Sequence, residues 1–205
     1  MLHMQPDIAS VEDATQILTP HIDDLGKLFS SAWNTWTSLP HEVQARHTRR
    51  TRASWIHDDL SEEARALFGG KPEVDVVETR GFLAITFSNV IVMRFKKFRS
   101  KNLRTSGIMT QQRLEYETQQ FALPGLPSLT TTVAGYLLDS LEQKLGRLAV
   151  VCPFNGDNMW VIDIPLPGEG GAIHAFSSTS PNPTPTVEIR SAREIEAQPD
   201  QKEEV

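Results

Sequence analysis

The sequence predicts an α+β domain in which helices come first and a mainly antiparallel β-sheet follows. Apolar residues recur at three- and four-residue steps in the N-terminal third, and they alternate at every second position after Pro72. Short polar connections such as Asn155-Gly156 favour hairpins between the strands. The chain has 205 residues, of which 39% are hydrophobic, so it suffices for one domain with tails and no more.

Capping residues and an apolar stripe predict the first two helices. Ser10 predicts the N-cap of the first helix, and Thr19 followed by Pro20 predicts the start of the second. The stripe of the second helix consists of Ile22, Leu25, Phe29, Ala32, Trp33 and Trp36. Core packing is the safer assignment for the two tryptophans, and a partner-binding surface is the alternative. A third helix is expected over residues 41–59 and a fourth over residues 61–68.

Six strands rich in β-branched and aromatic residues are predicted after the helices. They are expected at residues 74–79, 82–87, 90–98, 131–139, 147–154 and 159–164. A glutamine-rich helix capped by Thr110 separates the third strand from the fourth. This division gives a single domain over residues 1–166, with a helical part at 8–69 and a sheet part at 73–166.

The last segment, residues 167–205, is rich in glycine, serine and proline and ends in acidic residues. Such a composition offers little apolar surface to offset the entropy of ordering, so a mobile tail is expected. A short strand near residues 187–189 is the alternative.

The formal net charge of −6 conceals an uneven distribution of charge along the chain. Residues 46–104 hold thirteen lysines and arginines against seven acidic residues, and acidic segments flank this basic block on both sides. A local positive field recruits anions whatever the net charge, so one positive face is expected. The alternative is that the acidic flanks fold onto the block and neutralise it.

Two segments of the basic block are predicted to bind phosphate. If residues 41–59 form one helix, its four arginines fall within an arc of about 160°, and forked guanidinium groups suit phosphate. In the second segment a basic strand leads into a basic loop, where Phe98 offers a ring for base stacking. The predicted nucleic-acid-binding residues are Arg46, Arg49, Arg50, Arg52, Arg94, Lys96, Lys97, Arg99, Lys101 and Arg104. A solvated helix face and a lysine-protected edge strand are the alternatives.

Sequence motifs for catalysis are missing. There is no paired-cysteine zinc pattern, no glycine-rich phosphate loop and no Gly-x-Ser-x-Gly elbow, so no catalytic residue, metal or cofactor is predicted. A metal-dependent nuclease is the least favoured hypothesis. Its candidate groups are Asp139 with Glu142, or Asp75 and Glu78 with Lys96.

Cellular location is predicted from two features. No apolar stretch approaches the roughly 18 residues of a membrane helix, and no signal peptide is recognisable. The single cysteine, Cys152, fits a reducing compartment and is expected to be a buried small side chain. We therefore expect a cytoplasmic protein that does not contact a membrane.

Motifs between residues 94 and 163, about a third of the chain, resemble those of a group of small bacterial and prophage proteins. They are Arg94-Phe95-Lys96-Lys97, Thr110-Gln111-Gln112, Leu123-Pro124-Gly125-Leu126-Pro127, Gly135-Tyr136, Cys152-Pro153 and Trp160. Proteins of this group are encoded beside helix-turn-helix regulators fused to ImmA/IrrE-type metallopeptidases, in toxin–antitoxin-like or phage-related operons.

The resemblance implies a regulatory or protein-interaction component of a toxin–antitoxin-like or phage-defence operon. Its protein partner would be the operon-encoded regulator or metallopeptidase, and the basic block would add contacts to DNA or RNA. The alternative is a nucleic-acid-binding protein without sequence preference.

Overall fold

A computed structural model describes residues 8–105, 107–108, 110–123, 128–167 and 173–177, and it has the predicted α+β fold. The helices are α1 (Val11–Leu18), α2 (Ile22–Thr37), α3 (His41–Ala45), α4 (Arg49–Phe68) and α5 (Gln111–Glu117). The strands are β1 (Val74–Thr79), β2 (Phe82–Phe87), β3 (Ile91–Lys97), β4 (Thr130–Leu138), β5 (Leu145–Phe154), β6 (Asp157–Ile164) and β7 (Ala175–Ser177).

The seven strands form one sheet whose spatial order follows the chain order, β1 to β7. Every neighbouring pair is antiparallel except β3 and β4, which run parallel from Ile91 opposite Thr130 to Lys97 opposite Tyr136. Parallel neighbours cannot be joined by a tight turn and need a crossover. The segment that contains α5 supplies that crossover, which places α5 beside β3 and β4.

Hairpin turns follow the predicted chemistry. Asn155 and Gly156 both have positive φ, at 49° and 84°, as a two-residue turn between twisted strands requires. The Ser88-Asn89 connection also has two consecutive positive φ values, 50° and 53°. These turns fix the register that decides which side chains share a face of the sheet.

Different segments of the chain pack against the two faces of the sheet. Helices α1, α2 and α4 pack on one face, the helix face, where Phe29 meets Phe95 edge-on at a ring distance of 5.8 Å. The other face, the cleft face, is covered by α5 and neighbouring loops, with Tyr116 and Phe121 buried against it. Because β3 side chains alternate, Phe95 points to the helix face while its neighbours point to the cleft face.

Helix boundaries differ from the prediction at two places. The expected helix over residues 41–59 is interrupted, because the Thr48 side chain accepts a hydrogen bond from the Thr51 amide at 3.2 Å and starts a new helix there. Helix α4 then continues to Phe68 without the break expected before residue 61. Thr19 does not cap α2, since its hydroxyl donates to the Thr15 carbonyl oxygen at 2.6 Å.

At the termini, the predicted cap of the first helix is confirmed, whereas a short strand forms inside the segment expected to be a mobile tail. The Ser10 side chain caps α1 by accepting from the Asp13 amide at 3.1 Å. Strand β7 pairs with β6 inside the segment predicted as a tail, and residues 187–189 are not among those described. In the part of the chain that the structure describes, no helix has the length and apolar character needed to span a bilayer.

Candidate functional site

A cleft of about 440 Å³ opens on the cleft face, beside α5 and the loop of residues 98–105. The β5–β6 turn closes its third side. Its charged lining residues, among those described, are Arg94, Lys96, Arg104, Arg113, Glu117 and Asp157. The lining thus carries two more positive than negative charges, in a chain whose net charge is negative.

The Arg94 guanidinium lies against two aromatic rings that meet each other edge-to-face at the base of the cleft. Its Cζ atom lies 4.9 Å from the centre of the Phe82 ring and 4.5 Å from that of Tyr116. Contact with ring faces stabilises a cation and fixes its plane. The Arg94 Nη1 atom is buried and has no hydrogen-bond partner in the described residues. A buried donor without an acceptor is costly in a folded protein, but Nη1 itself has almost no surface that a ligand in the cleft could reach.

Lys96 lies two residues along β3 on the same face, so its amine approaches the same space as Arg94. It forms no ion pair with any described residue. Burial lowers the pKa of Lys96, and the charges of Arg94 and Arg113 lower it further. Burial, outweighing the acidic groups nearby, also lowers the pKa of Arg94. Burial is the largest cause of both shifts, and for Arg94 the nearby charge of Glu117 opposes it without outweighing it.

Arg113 lines the cleft, and each of its three nitrogens already donates one hydrogen bond. Its Nε donates to Glu117 at 2.6 Å, and its Nη1 donates to the Gly107 carbonyl oxygen at 2.6 Å. Its Nη2 donates to the Thr105 carbonyl oxygen at 3.2 Å. The Arg113 guanidinium thus connects the loop to α5. It also forms an ion pair with Glu117, the acid that would otherwise neutralise Arg94.

Helix α5 is anchored to the sheet by buried polar groups. The Tyr116 hydroxyl donates to the Thr132 carbonyl oxygen at 2.6 Å, and the Thr131 hydroxyl donates to the Tyr116 carbonyl oxygen at 2.6 Å. The Gln119 side chain accepts from the Thr131 amide at 2.7 Å and donates to the Pro153 carbonyl oxygen at 2.7 Å. These bonds hold Tyr116, and through it Arg94, in a defined position.

The loop of residues 98–105 forms a basic rim beside the cleft. A hydrogen bond from the Arg99 amide to the Arg104 carbonyl oxygen, at 2.8 Å, closes the loop. Asn158 fastens it to β6 by donating to the Asn102 carbonyl oxygen at 3.0 Å. The side chains of Arg99, Lys101 and Arg104 are exposed. Arg104 approaches Asp157 at 3.8 Å, a distance that gives little attraction in water.

A second group of cations lies on the helix face, where three of them share one acid, Glu142. Glu142 receives Arg49 Nε at 3.1 Å, Arg52 Nη2 at 2.5 Å and Lys97 Nζ at 3.4 Å, and we call this set the Glu142 cluster. Burial of Glu142 alone would raise its pKa, but the hydrogen bond from Arg52 and the charge of Lys97 outweigh burial and lower it. An acid from outside the basic block therefore masks part of it.

The ten predicted phosphate ligands are thus divided among several places. Arg94, Lys96 and Arg104 line the cleft, with Arg99 and Lys101 exposed on its rim. Arg49, Arg52 and Lys97 belong to the Glu142 cluster, while Arg46 and Arg50 are exposed on α3's end and on α4. The single arginine face expected over residues 41–59 does not form, because the helix breaks between Arg46 and Arg49.

Phe98 is not available for base stacking, contrary to the prediction. Its ring is fully buried and lies over Gly135, where an added Cβ would come within 2.7 Å of it. Gly135 therefore allows the ring to pack directly on the backbone of β4. The alternation of β3 and the bridge from Phe98 to Thr105 turn this ring inward.

The candidate groups for a nuclease do not converge. Glu78 pairs with Arg65 of α4 at 3.3 Å on the helix face, whereas Lys96 faces the cleft. Glu142 is held by the Glu142 cluster, and Asp139 accepts from the Gln143 amide at 2.7 Å within the turn. No group of three or more potential metal ligands is found in the described ranges. Buried Cys152 packs in the core, and burial raises the pKa of its thiol to about 12.

Sequence reasoning missed the residues that shape the cleft, chiefly Arg113, Tyr116 and Glu117. One local signal was present, because Arg113 and Glu117 are spaced i, i+4 on one helix face. Nothing in the local sequence indicates that Arg94 would contact the rings of Phe82 and Tyr116, which come from separate elements.

Comparisons with known proteins identify no relative. No protein-family model matches this chain, and neither a curated protein nor a solved structure is similar to it.

Proposed function

We propose that this protein is a regulatory component that works by binding, and that it contacts nucleic acid through the cleft and its basic rim. One observation carries the proposal: Arg94 and Lys96 face an open cleft, and no described residue forms an ion pair with either. A pair of desolvated cations is costly to keep in a folded protein unless an anion compensates them at some stage.

The arrangement of charges favours a phosphate backbone as that anion. The exposed side chains of Arg99, Lys101 and Arg104 extend the positive surface from the cleft along the rim. Contacts from lysine and arginine to phosphates fix a nucleic acid in position and carry no information on base identity. The proposal is therefore binding without sequence preference, of the kind that weakens steeply with salt.

The operon context belongs to the same proposal and rests on the resemblance of residues 94–163. On that basis the protein partner is an operon-encoded regulator or metallopeptidase of a toxin–antitoxin-like or phage-defence system. Co-purification of this protein with the product of a neighbouring gene tests that element separately from nucleic-acid binding.

Fluorescence anisotropy with labelled single-stranded DNA, RNA and duplex DNA at 50 and 200 mM salt tests the proposal. The double variant Lys96→Ala with Arg104→Ala removes two charges from the cleft and should weaken binding at least about tenfold, since each contact to a charged group contributes about 1.5–3 kcal/mol. The matched control is Arg50→Ala with Lys144→Ala, which removes two exposed charges elsewhere. The absence of binding at 50 mM salt, or an equal loss in the control, contradicts the proposal.

A further inference from the structure

We infer that the cleft is a pocket for one nucleotide unit bearing a phosphate monoester, with the phosphate between Arg94 and Lys96 and the attached nucleoside against Ile108 at the mouth. This assignment rests on the proposed function, and it names the part of a nucleic acid that enters the cleft. The two sources of such chemistry are the phosphorylated end of a strand and a free mononucleotide.

Charge matching favours a monoester over an internal phosphodiester. A phosphate monoester carries about −1.5 to −2 at pH 7, whereas each internal phosphate of a strand carries one negative charge. Two cations without an ion pair in the described residues, Arg94 and Lys96, therefore match one terminal phosphate. Arg113 contributes positive potential, and three of its five donors bind Glu117 and two carbonyl oxygens.

The geometry of β3 allows one phosphate to reach both cations. Arg94 and Lys96 are two residues apart on the same face, and their Cα atoms are therefore separated by about 7 Å. Both side chains are long enough to converge on a group between them. The guanidinium of Arg94 is held by Phe82 and Tyr116, so its plane is fixed, and the lysine supplies the adaptable contact.

Size excludes a double helix and suits one nucleotide. The cleft volume of about 440 Å³ lies in the range of small-ligand pockets, which is about 300–1,000 Å³. An internal nucleotide of a duplex cannot enter such a space, because the rest of the duplex would collide with α5 and the rim. In a polymer, an unpaired end is the part that fits.

The apolar side chain that a nucleoside can cover lies at the mouth of the cleft. Leu103, Val133 and Val151 line the inner part but are only 2%, 5% and 1% exposed, whereas Ile108 at the mouth is 86% exposed. An isoleucine side chain this exposed beside a cleft gains burial when a ligand covers it. The Phe82 and Tyr116 rings are occupied by Arg94, so recognition depends on the phosphate more than on base stacking.

The first experiment compares the affinities of oligonucleotides that differ only in the chemistry of their ends. Isothermal titration would measure binding of one short oligonucleotide sequence with a 5′-phosphate, a 3′-phosphate, hydroxyl ends, or a singly charged methyl-ester cap on the phosphate. Mononucleotide and inorganic phosphate are measured alongside. We expect a phosphorylated end to bind at least about tenfold more tightly than a hydroxyl end, and the methyl ester to lose most of that gain, because one negative charge is removed.

Adjacent lysines provide the matched variants. Lys96→Met keeps the aliphatic stem and removes the charge from the cleft, whereas Lys97→Met makes the same change on the helix face, within the Glu142 cluster. We expect Lys96→Met to abolish the preference for phosphorylated ends and Lys97→Met to retain it. Thermal melting of both variants confirms that each is folded, so a loss of binding reports on the cleft.

A pH series separates dianion binding from general attraction. The second pKa of a phosphate monoester is about 6, so lowering the pH from 7 to 5 should weaken binding of the mononucleotide about tenfold and leave the methyl ester unchanged. The charged groups that face the phosphate are Arg94 and Lys96 from β3, Arg113 and Glu117 from α5, Arg104 from the rim and Asp157 from the β5–β6 turn. No histidine is among the described lining residues.

The outcomes distinguish this inference from the proposed function. Polymer binding that is insensitive to end chemistry and to Lys96→Met overturns the nucleotide pocket and leaves binding along the rim intact. Mononucleotide binding without any polymer binding overturns the proposed function and identifies the free nucleotide as the source. Inorganic phosphate that binds as tightly as the mononucleotide overturns the nucleoside part of the assignment.

Discussion

Lys96 and Lys97 are adjacent on β3, yet they lie in opposite electrostatic settings. Lys97 points to the helix face, where Glu142 lies 3.4 Å from its amine and also binds Arg49 and Arg52. Lys96 points to the cleft face, where its nearest charged neighbours include Arg94 and Arg113. Lys97 therefore has a carboxylate within ion-pair distance, whereas Lys96 has none among the described residues.

The difference teaches that the basic composition of a segment says little about its capacity to bind an anion. Whether a positive charge is compensated depends on the segments that cover each face of the sheet. The turn after β4 brings Glu142 over one set of cations, and α5 brings Arg113 beside the other. Three predictions test this contrast, and they follow in order of the expected effect.

The largest change in stability is expected from removing the aromatic ring that anchors α5 on the cleft face. Tyr116→Ala removes a buried ring that packs against Arg94 and Phe121, together with the hydroxyl that donates to Thr132. We expect the free energy of unfolding to fall by about 3–5 kcal/mol, as for other large aromatic truncations in cores. Urea denaturation followed by circular dichroism measures this loss.

Leu114→Ala on the same helix is the control for Tyr116→Ala. Leu114 is 44% exposed, so its truncation should change the free energy of unfolding by less than about 0.5 kcal/mol. Equal effects of the two substitutions would show that α5 is not anchored through Tyr116.

A smaller change in stability is expected from removing the negative charge of the Glu142 cluster. Glu142→Gln removes the charge that Arg49, Arg52 and Lys97 share, and we expect the free energy of unfolding to decrease by about 1–3 kcal/mol. The freed cations should also create new salt-sensitive binding of a polyanion such as heparin. This new binding should persist when Lys96→Met is added, because it arises on the helix face.

Glu12→Gln makes the same change of charge at an exposed position in α1 and serves as the control. It should leave both stability and polyanion binding near those of the unchanged protein. A gain of binding in Glu12→Gln equal to that in Glu142→Gln would attribute the gain to net charge and contradict the masking role of Glu142.

The smallest effect concerns acid stability. The hydrogen bond from Arg52 and the charge of Lys97 outweigh burial and hold the pKa of Glu142 below its usual value of 4.5. A carboxylate whose pKa is lower in the folded than in the unfolded state stabilises the protein above its unfolded pKa, and this stability is lost as the pH falls through the folded pKa. Melting temperatures between pH 6 and pH 3 should therefore decline less steeply in Glu142→Gln. Parallel declines in both proteins would contradict the ion pairing.

Local sequence patterns were enough to predict most of the fold. The six predicted strands lie close to the observed β1 to β6, because alternation and turn residues act over a few neighbouring positions. The expected helix over residues 41–59 failed for an equally local reason. The Thr48 side chain accepts a hydrogen bond from the Thr51 amide, so a new helix begins there and the expected helix is interrupted. The helical spacing of the arginines continues across this interruption.

The candidate site was only partly predictable. Arg94, Lys96 and Arg104 were identified as anion ligands by their charge, and they do line the cleft. The sequence also placed Arg49, Arg52 and Lys97 in the same set, although Glu142 masks them. The density of positive charge can be seen in the sequence, but the carboxylate that pairs with these side chains lies 45 residues after Lys97 and 93 residues after Arg49.

By itself, the sequence determined that Lys96 and Lys97 would point to opposite sides of a strand, since successive side chains of a β-strand alternate. It also determined the hairpin turns and the caps of α1 and α5, which depend on nearby residues. The tertiary structure alone decided which of the two lysines meets a carboxylate. Electrostatic compensation depends on distance and burial in space, and both are set by packing between parts of the chain that are far apart in sequence.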